Sequence, residues 1–158
     1  MLKQTVGFTC GSFDLLHAGH ALMLEECKNH CDYLIVGVQS DPTLDRSYKN
    51  KPIMTCEERL CLVRSNKWVD EVILYNTEKD LYELLDEKKP DVRILGDDWK
   101  EKVYTGHDLP IRIAFVTRDH GYSTSSLRRR VAMAEAQKYN SPFYLTLLDE
   151  ERRDKEQK

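Results

Sequence analysis

No run of apolar residues in this chain approaches the ~18 needed for a helix to cross a bilayer, so a helical membrane protein is excluded. A basic surplus is missing too. Lysine and arginine number 24 against 27 aspartates and glutamates, a net charge of −3. No global field therefore draws the protein to nucleic acid or to an anionic membrane, and any polyanion it binds must be met by local basic positions. Cysteine is sparse and odd in number: Cys10, Cys27, Cys31, Cys56 and Cys61 have none of the spacing of a disulfide framework. They are read as reduced thiols of a cytoplasmic protein. Cys27, His30 and Cys31 lack the spacing of a structural zinc knuckle and suit small apolar positions on a helix face. The chain leaves little room for a signal peptide ahead of its first strand-like segment. Internal repeats and linkers are absent.

What is present is ordinary soluble composition, 41% hydrophobic and 32% charged over 158 residues, enough for one domain with a real core. The pattern alternates strand and helix. Strands are predicted at Thr5–Cys10, Tyr33–Val38, Glu71–Leu74, Val92–Leu95 and Ile111–Val116. Helical spacing runs over Gly19–Cys31 through Met23, Leu24, Cys27 and Cys31. Thr55 and Glu58 form a capping box ahead of a helix with Cys56, Leu60 and Val63 on one stripe. Leu81, Leu84 and Leu85 mark a third helix, stopped by Pro90, and Ser123 or Thr124 caps a fourth bearing Leu127, Val131 and Ala134. Such alternation predicts an α/β fold, a three-layer α/β/α sandwich around a five-stranded, mainly parallel sheet. Ligands of these sheets bind beyond the carboxyl ends of the strands. The long polar segment Ser40–Met54 is of the kind that serves function. Arg128, Arg129 and Arg130 read as a solvated helix face, and the almost wholly charged end Asp149–Lys158 as frayed.

The densest chemistry lies where the first strand turns into the first helix, at Gly11-Ser12-Phe13-Asp14-Leu15-Leu16-His17-Ala18-Gly19-His20. A helix N-terminus offers unpaired N–H groups and a positive dipole end, which suit a phosphate. His17 and His20 add side-chain donors, and Gly19 permits close approach of backbone to ligand. The His-x-Gly-His run resembles the signature of a nucleotidyltransferase superfamily. With Trp68-Val69-Asp70-Glu71-Val72, Gly96-Asp97-Asp98-Trp99 and Arg118-Asp119-His120-Gly121-Tyr122-Ser123-Thr124-Ser125, the chain resembles the cytidylyltransferases, and among them the glycerol-3-phosphate branch.

That resemblance implies a Rossmann-like nucleotidyltransferase domain over residues 1–137, followed by a C-terminal extension at 138–158. It implies a reaction in which a nucleoside triphosphate, CTP, and a small phosphorylated alcohol give a nucleoside-diphospho product and pyrophosphate, with Mg²⁺ as cofactor and a homodimer as the working form. Neither nucleic acid nor membrane is an expected partner. His17, His20, Lys49, Lys51 and Arg118 are the implied catalytic residues. Gly11, Ser12, Phe13, Asp14, Gly19, Asp97, Ser123, Thr124 and Ser125 are implied in nucleotide binding, with Asp14 also a metal ligand. Arg59, Lys67, Asp98 and Trp99 are implied in substrate binding. At Lys67 similar enzymes carry arginine, and Asp119, His120 and Tyr122 replace Thr, Glu and Ile of related cytidylyltransferases. The Gly-Tyr-Ser-Thr-Ser wording also resembles heptose-phosphate adenylyltransferases, which keeps ATP with a sugar phosphate such as heptose 1-phosphate as an alternative, and Gly96-Asp97-Asp98-Trp99 equally resembles the ethanolamine-phosphate cytidylyltransferases, a second alternative. Two readings of other classes are a nucleotide-binding module without turnover and an interaction protein using its arginine run and charged tail.

Overall fold

The computed structural model describes residues 3–139 together with 142, 146 and 153. Five strands alternate with helices: β1 (Val6–Gly11), α1 (Ala18–Cys27), β2 (Tyr33–Gln39), α2 (Cys56–Arg64), β3 (Glu71–Tyr75), α3 (Glu78–Lys88), β4 (Val92–Gly96), β5 (Arg112–Val116) and α4 (Thr124–Lys138). All strand pairs are parallel, in the order β3-β2-β1-β4-β5. The sheet is thus wholly parallel and Rossmann-like. Its order reverses between β1 and β4, the switch point at whose carboxyl edge ligands bind. Contacts divide the chain into two compact units, residues 1–121 and 122–158. The first holds the sheet. The second contains α4, capped by Ser123, whose side chain accepts from Ser126 N. Apart from Arg153, the charged end Asp149–Lys158 lies outside the described residues.

Two apolar clusters flank the sheet. On one face Leu24 and Cys27 of α1 and Val63 of α2 pack on Leu34, Val36, Val38, Val92, Ile94 and Val116. On the other, Leu81 and Leu85 of α3 cover Phe8, Ile35 and Tyr75. Strands buried on both faces explain the near-continuous apolar runs of β2 and β4. α1 is shorter than its periodicity predicts. It stops at the C-cap Lys28, and Cys31, predicted on its stripe, lies beyond it and donates through Sγ to Cys27 O at 3.4 Å. The capping box of α2 forms as read, Thr55 and Glu58 each bonding the other's backbone N–H. Within the polar segment after β2, Pro42–Leu44 makes a turn of 3₁₀ helix. Among the described residues no helix is long and apolar enough to span a membrane.

One side chain ties the carboxyl edge together. Arg59, on α2, is 1% exposed. Its guanidinium donates to Ser12 O (2.8 Å), Gln39 O (2.6 Å), Ser40 O (2.5 Å) and Met54 O (3.2 Å), with Cys56 Sγ at 3.4 Å. These acceptors come from the chain just past β1, from the end of β2 and from the loop before α2. The expected substrate contact at Arg59 is thereby corrected: its donors are spent on the protein's own carbonyls, and it is positioned too deep to meet a ligand. Arg59→Met should cost at least about 3 kcal/mol, since several charge-assisted bonds go and buried carbonyls are orphaned. Urea unfolding checks this; a loss under about 1 kcal/mol would mean that water replaces the guanidinium.

Candidate active site

The turn between β1 and α1 is held in a costly shape. Phe13 (φ 50°) and Leu15 (φ 47°) both sit in the left-handed region, which bulky residues avoid. Asp14 between them supplies compensation. Its buried carboxylate accepts Ile53 N at 3.1 Å and Met54 N at 2.9 Å, and Leu15 N approaches Met54 Sδ at 3.2 Å. Phe13 turns into the core, 2% exposed, with its ring 5.4 Å from that of His20. Asp14 therefore latches the turn to the loop before α2. Each of its oxygens already accepts a backbone N–H, and among the described residues no three His, Cys, Asp or Glu side chains cluster to hold a metal ion.

Out of this turn α1 begins with a reciprocal cap made of two histidines. His17 is the N-cap, and its Nδ1 accepts Gly19 N at 3.0 Å; the Nδ1 of His20 accepts His17 N at 3.3 Å. Ser or Thr with Glu normally fills these roles. Because both Nδ1 atoms are acceptors, the proton of each neutral ring sits on Nε2. The rings stack with centroids 4.0 Å apart. Burial, the neighbouring His17 and the Arg118 guanidinium push the His20 pKa down to about 4, against a smaller opposing pull from Asp14. At neutral pH His20 is thus an uncharged N–H donor. Gly19 leaves the room this needs: a Cβ there would lie 2.8 Å from His120 Cε1 and 2.9 Å from His17 Cε1. His120, read in the sequence only as a replacement for Glu, therefore caps the site as a third imidazole.

Beyond β4, Gly96 opens a short 3₁₀ turn over Asp97–Trp99. A Cβ on Gly96 would meet Asp98 Oδ1 at 2.6 Å and Arg118 Nε at 3.0 Å, so glycine lets the Asp98–Arg118 pair (3.6 Å) close over the strand end. Lys102 lies 4.0 Å from the other oxygen of Asp98 and 5.7 Å from the Trp99 ring centre. Next to these residues opens a pocket of about 610 Å³. Its walls carry five cations, Arg46, Lys49, Arg93, Lys102 and Arg118, against the carboxylates of Glu78 and Asp98. Glu78 is itself engaged by Arg46 at 2.8 Å and by the Thr105 hydroxyl. The pocket is built for an anion.

The predicted residues are thus divided. His17, Gly19, His20 and Arg118 come together, since His20 senses the Arg118 charge. Lys49, Asp98, Trp99 and Arg118 share the pocket wall. Gly11 ends β1, and Ser12 follows it with its carbonyl on Arg59. Asp97 starts the 3₁₀ turn, and Lys51 is exposed on the loop before α2. Ser123, Thr124 and Ser125 start α4 in the second unit. Lys67 is a correction. It lies between α2 and β3, hence at the amino edge of a parallel sheet, opposite the pocket, with its ammonium 4.4 Å from the Trp68 ring centre. Asp70 beside it is structural, accepting Leu34 N at 2.7 Å and pairing with Lys28 at 2.6 Å. Arg46, Arg93, Lys102 and Tyr104 went unnoticed in the sequence, and His120 was noted there without a role. Arg93 alone carried a signal there, as a lone cation inside the apolar run Val92-Arg93-Ile94-Leu95.

A wholly parallel doubly wound sheet, with paired imidazole donors at a helix start and a cationic pocket at its switch point, defines a protein that handles nucleotide phosphates. The comparisons carry this further: the Cytidylyltransferase-like family model matches residues 8–141, and the chain belongs to that family. It is 33% identical over 135 residues to the bifunctional protein HldE of Campylobacter jejuni (strain RM1221), covering 83% of this chain and 29% of the relative. It is 34% identical over 133 residues to the HldE of Helicobacter acinonychis (84% and 28%). The chain thus spans under a third of the length of these curated relatives. Among solved structures, the lipopolysaccharide core biosynthesis protein of Thermoplasma volcanium matches with a TM-score of 0.59 and 32% identity, over 73% of this chain and 97% of that one. Pantothenate synthetase of Thermus thermophilus shares the fold at 15% identity, TM-score 0.53, over 95% of this chain and 76% of that one.

The lowered pKa of His20 has a consequence for stability. The unfolded chain takes up the imidazole proton near pH 6.5, the folded one only near pH 4. Between those values the unfolded state binds more protons, so stability falls as pH drops through that window. The full shift is worth about 3 kcal/mol, less whatever solvent screening removes. Urea unfolding at pH 7, 5.5 and 4.5 should show a smaller loss for His20→Asn than for the parent; parallel curves would overturn the assignment.

Proposed function

We propose that this chain is a nucleotidyltransferase transferring CMP from CTP to a small phosphorylated alcohol, glycerol 3-phosphate in the first instance, with release of pyrophosphate. The observation that carries this is the reciprocal His17–His20 cap, which fixes two imidazoles through Nδ1 at a helix N-terminus, with the Arg118 charge acting on His20. The attacking group is a phosphate oxygen, already anionic at neutral pH, so no general base is required. The difficulty is to bring two polyanions together and to absorb charge as pyrophosphate leaves. Catalysis is then positioning plus electrostatic stabilisation. His17 and His20 donate around the α-phosphorus, Arg118 offers a forked contact, and the exposed Lys49 and Lys51 approach the β- and γ-phosphates as point charges. Mg²⁺ enters on the triphosphate as part of the substrate. Asp98 and Trp99 wall the acceptor's side. The reading extends to a homodimer working in the cytoplasm.

A second reading has the same chemistry with ATP and a sugar phosphate. Two observations favour it: the Gly121–Ser125 wording, and relatives that are HldE proteins and a lipopolysaccharide core biosynthesis protein. Pyrophosphate release, crossing CTP and ATP against glycerol 3-phosphate, ethanolamine phosphate, ribitol 5-phosphate and a heptose 1-phosphate, separates the two. Release with CTP and one phospho-alcohol is expected; release with ATP alone would move the protein to the second reading. His17→Ala and His20→Ala should each lower kcat by ~10²-fold or more, equivalent to about 3 kcal/mol of transition-state stabilisation per donor. Circular dichroism should show the fold retained. Turnover near that of the parent in both variants would sink the mechanism.

A further inference from the structure

Arg93 has no structural reason to be where it is. It is the second residue of β4, 3% exposed. Its partners in register are Phe8 on β1 and Ile113 on β5, both apolar. Its Nε and Nη1 are buried without a hydrogen-bond partner. Among the described residues its compensating contact is the Tyr104 ring, whose centre lies 5.4 Å from the guanidinium carbon. A buried cation left so is costly, and a cation–π contact offsets part of that cost. Arg59, equally buried, spends its donors on carbonyls, so this protein can satisfy an interior guanidinium where it needs one for structure.

Arg93 lines the cationic pocket, and it lies low in it. A Cβ on Gly106 would sit 3.3 Å from Arg93 Nη1 and 3.0 Å from Leu85 Cδ1. Arg93 stands three residues before Gly96, the last residue of β4, which places its backbone about 10 Å below the carboxyl edge at ~3.3 Å per residue. The reacting phosphate must stay at that edge, near His17, His20 and Arg118. The guanidinium fork therefore faces another part of the acceptor.

We propose that Arg93 is a specificity-determining residue that receives a second oxyanion, a carboxylate or a further phosphate, at the end of the acceptor remote from its reacting phosphate. A guanidinium binds either group through charge-assisted N–H bonds. The pocket's charge agrees, five cations against two carboxylates, an excess larger than one phosphomonoester requires. This inference rests on the transfer reading for the word acceptor, and it narrows the substrate class beyond a simple phospho-alcohol.

The test uses the full chain and three-carbon phosphate esters whose far end is a hydroxyl (glycerol 3-phosphate), a carboxylate (3-phosphoglycerate) or a second phosphate (glycerol 1,3-bisphosphate). Their binding is measured by calorimetry and their turnover by pyrophosphate release with CTP and ATP. At least one oxyanion-ended ester should bind ten-fold or more tightly than glycerol 3-phosphate, and which one does so names the group. Arg93→Met should close that gap, and Arg93→Lys should restore part of it, a recovery that a packing role would not give. Thermal melting establishes that both variants fold. Should Arg93→Met not fold, Arg93→Lys alone must narrow the gap. Equal binding of all three esters by the parent, a gap that persists in Arg93→Met, or no binding of any ester overturns the inference. Pyrophosphate release from glycerol 3-phosphate alongside such a result leaves the transfer reading standing. An Arg93-dependent gap without pyrophosphate release from any pairing overturns the transfer reading and leaves the oxyanion site.

Discussion

One buried guanidinium organises the functional edge of this protein. Arg59 collects carbonyls from the ends of two neighbouring strands and from the loop that leads into its own helix. Strand ends at the carboxyl edge of a parallel sheet have no ladder partner for their last carbonyls, and burying them unpaired would be costly. A single planar cation with five donors resolves this for three segments at once. The same contacts fix where β1 stops and therefore where α1 starts. The left-handed backbone at Phe13 and Leu15, and the Asp14 latch onto Ile53 and Met54, sit directly on that base. The His17–His20 cap is the far end of this chain of constraints, each link holding the next in a conformation it would not adopt alone.

The contrast between Arg59 and Arg93 separates structural from functional charge. Both are arginines with almost no exposure, and neither the apolar run around Arg93 nor the resemblance at Arg59 says which of the two the protein itself satisfies. Arg59 is saturated by protein. Arg93 is bordered by Phe8, Ile113 and a tyrosine ring, with donors unspent. Protein interiors tolerate an unpaired charge only where something outside the chain completes it. The family resemblance suggested Arg59 as the substrate contact, because a motif records that a residue matters and not what it touches.

This division marks what the sequence made legible. The order of elements, the parallel sheet and the α2 capping box follow from apolar runs and local capping chemistry, which act over a few residues and so leave a mark in the string. The His-x-Gly-His turn was legible because its function and its helix start coincide. The ends of elements were less so: α1 was drawn through Cys31 because Cys27 and Cys31 share a helical spacing, whereas the chain leaves the helix at Lys28 and still brings the Cys31 sulfur onto the Cys27 carbonyl. Lys67 was misplaced for a different reason. Position along the chain does not say which edge of the sheet a connection occupies, and only the parallel topology puts it at the amino edge. Arg46, Lys102 and Tyr104 converge on the pocket from loops with no periodicity to read, and His120 meets Gly19 across a hundred residues of sequence.

The site employs two kinds of donor, and the physical difference between them fits a two-substrate reaction. At the helix start both imidazoles are locked by backbone N–H groups at Nδ1, and His20 is kept neutral by burial, by His17 and by Arg118. Neutral donors fixed in place need no reorganisation when charge develops on a bound oxygen, and do not hold the leaving polyanion as a full cation would. Around the pocket the donors are full charges, several on exposed side chains, where attraction at longer range serves to gather an anion. Lys49 and Arg118 belong to the wall of this second region while Arg118 also acts on His20. Arg118 bears on both regions: after burial and His17 it is the third influence that lowers the His20 pKa, and it lines the pocket wall. Burial, the largest of these influences, acts on His20 whether or not an anion pairs with Arg118.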